Sequence, residues 1–227
     1  MQSEDAMKER PILFSGPMVR ALLAGTKTQT RRVAQVENTL GIDSILAPRR
    51  AGGHAATYLL PDQAAEAAAC CPYGQPGDRL WVREAFMHEP ADYCWEASVS
   101  IPCRPAETVY RADFPNSQPG EGWKPSIHMP RNLSRILLEI TSVRIERLQD
   151  ISEQDAAAEG VATWAPGALS PESLNADPSD QFRWLWCSIN GPDSWGANPW
   201  VWVVEFKRVQ QASSGRSSQL EDAPCNE

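Results

Sequence analysis

Gly25-Thr26-Lys27-Thr28-Gln29-Thr30-Arg31-Arg32-Val33 decides the fold, because here the sequence pattern passes from helical to extended. Upstream, Ser15-Gly16-Pro17 supplies a cap candidate and a proline at the first helical position. Met18, Ala21 and Leu22 follow at helical spacing, and Gly25 stops the helix. The threonine-rich, alternating run from Thr26 to Val33 then reads as an extended segment.

Three further segments read as ordered core. Gly77-Asp78 is a turn signal ahead of a strand over Arg79–Arg83. A second strand is expected across Ile136–Ile145. It leads to Ser152 with Asp155 three residues on, a capping box with the shorter acid, and to Gly160 as the matching stop. The last segment holds an amphipathic helix on Phe182, Leu185, Trp186 and Ile189, a turn at Asn190-Gly191-Pro192 and a strand over Trp200–Phe206. That strand is apolar on both faces, which predicts a covered position in a sheet. Residues 41–71 are alanine- and glycine-rich, with a short helix expected at Ala64–Ala69. Residues 88–122 carry several prolines and read as a long loop or partly ordered insertion, and 162–179 as another loop. The sum is a mostly-β (α+β) chain with short helices: a flexible N-terminus at 1–10, a single domain at 11–209 and a disordered tail at 210–227.

No apolar run reaches 18 residues and no signal-peptide pattern opens the chain, so a cytoplasmic protein without a membrane partner is expected. The six cysteines form no framework and are expected to be reduced thiols. The formal charge of −8 weighs against avid binding along a nucleic-acid polymer and permits a small nucleoside in a pocket. Cys70 and Cys71 are adjacent, and His54, His88 and His128 stand apart. No zinc spacing is met, and neither metal nor cofactor is expected. Dinucleotide, P-loop and serine-elbow motifs do not occur.

Gly25-Thr26-Lys27-Thr28-Gln29-Thr30-Arg31-Arg32 resembles the G-x-K-T-x-T-x-R signature of ASCH domains. Gly77-Asp78-Arg79-Leu80-Trp81-Val82 is similar to the G-D-x-L-x-V turn and strand of that family. Ala156-Ala157-Ala158-Glu159-Gly160 resembles its helix ending in A-x-x-E-[GN], and Val201–Lys207 its closing strand. The matches run in family order, with insertions at about 41–71 and 88–122 outside them. The whole string looks like the larger ASCH proteins of phages and prophages. The resemblance implies a PUA-like β-barrel with flanking helices and a cleft between helix and sheet.

It also implies an activity, since small bacterial members hydrolyse N4-acetylcytidine with a lysine, a threonine and a glutamate. By motif position these match Lys27, Thr30 and Glu159, which makes the chain an expected metal-independent amidohydrolase on N4-acylated cytosine nucleosides. Cleaving such an amide needs a nucleophile, a base, a donor to the leaving amine and oxyanion stabilisation. Thr30 offers a hydroxyl, and Lys27 is a base if burial beside Arg31 or Arg32 depresses it. Glu159, at a helix C-terminus, suits a proton donor. Residues 27 and 30 point to opposite faces of a regular strand, so Lys27 must sit in the loop before it, or a bulge must intervene. Arg31, Arg32 and Trp81 are the candidate substrate-binding residues. The competing readings are an RNA-binding module using Lys27, Arg31, Arg32, Arg131, Arg135 and Arg144, or a ribonuclease.

Overall fold

Alternation along Trp200–Arg208 divides the core in two. Trp200, Trp202, Val204 and Phe206 enter one buried apolar cluster, and Val201 and Val203 enter another on the opposite face. A strand with period 2 and no polar residue in its first five positions must be covered on both sides, as its sequence predicts. The computed structural model describes residues 7–39, 42–46, 57–89, 92–96, 99–104, 107–116, 122–161 and 177–209.

In chain order the early strands are β1 (Glu9–Leu13), β2 (Gln29–Val33), β3 (Glu37–Thr39), β4 (Ile42–Leu46), β5 (Thr57–Leu59) and β6 (Arg79–Arg83). Then come β7 (Phe86–Glu89), β8 (Asp92–Glu96), β9 (Val99–Arg104), β10 (Glu107–Tyr110), β11 (Leu137–Arg147) and β12 (Trp200–Arg208). The helices are α1 (Gly16–Ala24), α2 (Ala64–Ala67), α3 (Glu153–Ala158) and α4 (Pro178–Asn190). The architecture is α+β, with a five-stranded mixed sheet in the order β1-β6-β11-β12-β2. β1 pairs parallel to β6, and the other pairs are antiparallel. One cluster joins the sheet to Val19 and Leu22 of α1. The other joins it to Ala156 of α3 and to Phe182, Leu185 and Trp186 of α4. No helix among the described residues is long and apolar enough to cross a membrane.

Several expectations hold at the level of single residues. Gly25 closes α1 in the left-handed region (φ 77°), and Ser152 Oγ accepts from the Asp155 amide at the start of α3. Ser15 precedes α1 as expected but makes no side-chain cap hydrogen bond. Three boundaries are made definite. Of the two readings of 88–122, the partly ordered insertion is the one the structure has, because β7 pairs with β10 and β8 with β9. Pro102 lies in β9, where a two-stranded ribbon tolerates it because each strand is an edge. Within 41–71, β4 and β5 extend a three-stranded sheet begun by β3. Glu9 and Arg10, assigned to a flexible end, are the first residues of β1, and Arg10 pairs with Asp78 at 2.7 Å. The expected loop at 162–179 lies outside the described residues up to 176, and the expected disordered tail from 210 lies wholly outside them.

Candidate active site

The extended segment begins later than its sequence suggests, and that delay builds the site. Thr26 and Lys27 still donate their amides to the Ala21 carbonyl of α1, so β2 starts only at Gln29. Lys27 therefore sits in the turn before the strand, the first of the two arrangements that parity allowed. An isolated antiparallel bridge joins Lys27 to Glu159, and Thr28 N donates to Ala158 O at 2.9 Å. Gln29 Nε2 adds a bond to the Asp155 carbonyl at 3.0 Å, fixing β2 to α3.

Gly160 makes that approach possible. Its φ is +80°, and a Cβ there would meet Ala21 Cβ at 2.8 Å and Lys27 Cβ at 2.9 Å. Only glycine satisfies both the backbone and the space. Lys27 Nζ then donates to Glu159 Oε2 at 2.8 Å and to the Glu159 carbonyl at 2.9 Å, with both residues buried. Burial lowers the pKa of Lys27, against the opposing pull of Glu159, while Arg32 and Arg31 add to the lowering. Burial beside Arg31 and Arg32 is the arrangement expected to depress Lys27, and burial is the largest cause.

A cavity of about 320 Å³ opens in front of this pair, within the range of small-molecule sites. Thr30, Arg31, Arg32 and Glu159 form its polar wall. Phe14, Met18, Phe182, Leu185, Trp186 and Ile189 form an apolar wall, mostly from α4. Thr30 and Glu159 thus share the cavity. Lys27 is not on its wall but lies behind Glu159, and the hydrogen bonds from Nζ go to Glu159 rather than to Thr30.

Arg31 has a different environment from the one expected of a substrate clamp. Its Nη2 contacts Glu146 Oε1 at 2.5 Å and Asp155 Oδ2 at 3.2 Å, and its Nη1 is 3.5 Å from Glu159 Oε1. Asp155 and Glu146 also engage Arg144, which reaches Glu205. Burial opposes the charge on Asp155, but Arg144 and Arg31 outweigh it and hold its pKa below the usual carboxylate range. Arg32 donates to the Leu13 carbonyl at 2.6 Å and lies over the Phe14 ring, and burial lowers its pKa.

Buried polar atoms ordinarily find partners. Among the described residues seven buried side-chain atoms lack one, and five of these belong to cavity residues. They are Nε and Nη1 of Arg31, Nε of Arg32, Oε1 of Glu159 and Nε1 of Trp186. A larger cavity of about 970 Å³, lined by Cys71, Tyr73 and Asp78 among others, has no residue in that set. Burial pushes the Cys71 thiol and the Tyr73 phenol up, which makes both poor nucleophiles.

Trp81 is not where a substrate platform was expected. It is buried in β6, outside the cavity, with the guanidinium groups of Arg83 and Arg131 at 4.9 and 6.0 Å from its ring. Trp186 occupies the wall instead. Its place in an amphipathic helix was legible, but no local signal says that this face borders a cavity. Asp155 and Glu146 were missed as partners of Arg31 for a similar reason, since they lie 124 and 115 residues away. Of the six cations proposed as an RNA face, Lys27, Arg31, Arg131, Arg135 and Arg144 are each paired with a carboxylate. No family model, curated protein or solved structure matches the chain.

Proposed function

We infer that the chain is an ASCH-type domain with a PUA-like barrel fold, and an amidohydrolase that cleaves the N4-acyl amide of acylated cytosine nucleosides. The observation that carries this reading is the shared position of Thr30 and Glu159 on one cavity, with Lys27 paired directly behind Glu159. These three residues come from segments about 130 positions apart and match the lysine, threonine and glutamate that the family resemblance points to.

The reaction joins water to the amide. An oxygen nucleophile, the Thr30 hydroxyl or a water beside it, bonds to the acyl carbon, and the bond from that carbon to N4 breaks. The proton lost by the nucleophile passes through Glu159 to N4, releasing the cytosine amine and a carboxylic acid. On the threonine route, water then hydrolyses the acyl-threonine ester. Lys27 acts through Glu159: it fixes the carboxyl group and supplies positive charge behind it. Arg32, with an unpaired Nε, donates to the oxygen that gains charge. The unpaired set suits this substrate, since an N4-acylcytosine head is rich in acceptors (O2, N3 and the acyl oxygen) and carries one N4–H donor. Among the described residues the cavity holds four nitrogens and one oxygen without a hydrogen bond, of which Arg31 Nη1 and Glu159 Oε1 face each other at 3.5 Å. Incubation of the purified protein with N4-acetylcytidine should release cytidine and acetate in equal amounts. Absence of both would end the reading.

A further inference from the structure

The charged groups of the cavity and most of its apolar surface come from different elements. Thr30, Arg31, Arg32 and Glu159 lie on the β2 and α3 side with Val33, while α4 contributes Phe182, Leu185, Trp186 and Ile189, with Asn190 as its one polar side chain. In the reaction proposed above, the scissile amide must lie beside Thr30 and Glu159, and the polar edge of the base needs the nitrogens of the arginines. The remaining part of such a substrate is the hydrocarbon of its acyl group. We propose that α4 is the acyl-recognition element of this chain and that it selects N4-acyl groups larger than acetyl. This inference rests on the amidohydrolase reading and concerns the substrate class of the same site.

Two features of α4 point to a ligand rather than to ordinary core packing. First, Ile189 lies on the cavity wall yet is 53% exposed, so an apolar side chain at the mouth is left uncovered. Second, Trp186 is buried, and its Nε1 has no hydrogen-bond partner among the described residues. Trp200 Nε1 is paired, donating to Asp43 Oδ2 at 2.8 Å, whereas Trp123 Nε1 is unpartnered like that of Trp186; of the two unpartnered indoles, only Trp186 lines the cavity. That indole N–H, in a wall that α4 builds from Phe182, Leu185 and Ile189 with Asn190 at its end, has no acceptor among the described residues and is free to meet one on a ligand. The acyl carbonyl oxygen is the acceptor that joins the hydrocarbon to the amide. Trp186 therefore donates to that oxygen, and the chain beyond it lies along Leu185 and Ile189.

The test compares N4-acetyl-, N4-butyryl- and N4-benzoylcytidine as substrates of the full chain. Each buried methylene is worth roughly fourfold, so kcat/KM for butyryl, with two more, should exceed that for acetyl by about fifteenfold. Ile189→Ser, a change at a half-exposed position, should lower the butyryl-to-acetyl ratio several-fold. Trp186→Phe removes the N–H together with part of the buried indole, so it lowers the thermal midpoint through lost packing as well. With the variant still folded at the assay temperature, kcat/KM should fall about tenfold on all three substrates. Cytidine release with acetyl equal to or better than butyryl, or a ratio unmoved by Ile189→Ser, would overturn the assignment of α4 and leave the amidohydrolase reading standing. Cytidine from none of the three would overturn that reading and this inference together.

Discussion

Lys27 Nζ is held twice by one residue, at 2.8 Å from Glu159 Oε2 and 2.9 Å from the Glu159 main-chain oxygen. The side chain and backbone of Glu159 thus form a single socket for the ammonium group. Arg31 Nη1 stands 3.5 Å from the other carboxylate oxygen. Two cations therefore stabilise negative charge where the helix end alone disfavours it, and Glu159 is tied to both its turn and the sheet edge.

The socket makes Lys27 a structural residue as well as a site residue. Lys27 is only 2% exposed. Lys27→Met keeps the volume and strands a buried carboxylate, which should cost about 3–5 kcal/mol. Adding Glu159→Gln should recover a large part of that loss. Urea unfolding of the two single variants and the double variant measures both. Additive losses would mean that the pair is not coupled.

Gly160→Ala should be nearly as damaging. The left-handed backbone costs about 1–3 kcal/mol in a residue with a Cβ, and the overlap with Ala21 and Lys27 adds a similar amount. A fall of the thermal midpoint together with lost turnover is expected. An unchanged midpoint would show that the turn at Gly160 relaxes freely.

Asp155 links α3 to the sheet through Arg31 and Arg144, and its folded pKa is lowered. The unfolded chain binds the Asp155 proton at higher pH than the folded chain does. The stabilisation is therefore complete above about pH 5 and is lost as pH falls below about 4, through the lowered folded value. The stability gap between wild type and Asp155→Asn should be flat above pH 5 and shrink towards pH 2. A gap that persists to pH 2 would remove Asp155 from the linkage.

A chain starting at Pro11 should unfold at lower denaturant than one starting at Met7. The deletion removes the Arg10–Asp78 pair, the 2.9 Å bond from Lys8 N to Asp78 and the Glu9–Arg131 pair. It also shortens the parallel pairing of β1 with β6. Equal midpoints for the two chains would contradict the role given to Glu9 and Arg10.

What the sequence revealed was local. Helix α1 with Gly25, the Ser152–Asp155 cap and the two-faced strand β12 each rest on periodicity or on residues within four positions. The hairpins between 88 and 110 were missed because pairing across an insertion leaves no period to count, and prolines masked it. The site was legible in its members but not in its wiring. Thr30 and Glu159 came from motif order, whereas the burial of Lys27 and the acidic partners of Arg31 depend on contacts across more than a hundred residues. Trp81 misled because an aromatic in a strand is core by default, and only the fold shows which face of which tryptophan meets a cavity.

The central claim is that Thr30 and Glu159 perform amide hydrolysis in the cavity they share. The direct measurement is kcat for cytidine release from N4-acetylcytidine by wild type, Thr30→Ala and Glu159→Gln, each first shown to be folded. Glu159→Gln keeps the size of the side chain and removes its proton-carrying group, so kcat should fall about 10²–10⁴-fold, the usual worth of a positioned acid–base group. Thr30→Ala should fall at least as far if its hydroxyl is the nucleophile, and a slow substrate should then leave an acyl group on Thr30 of the wild type. Wild-type kcat in both variants would contradict the account.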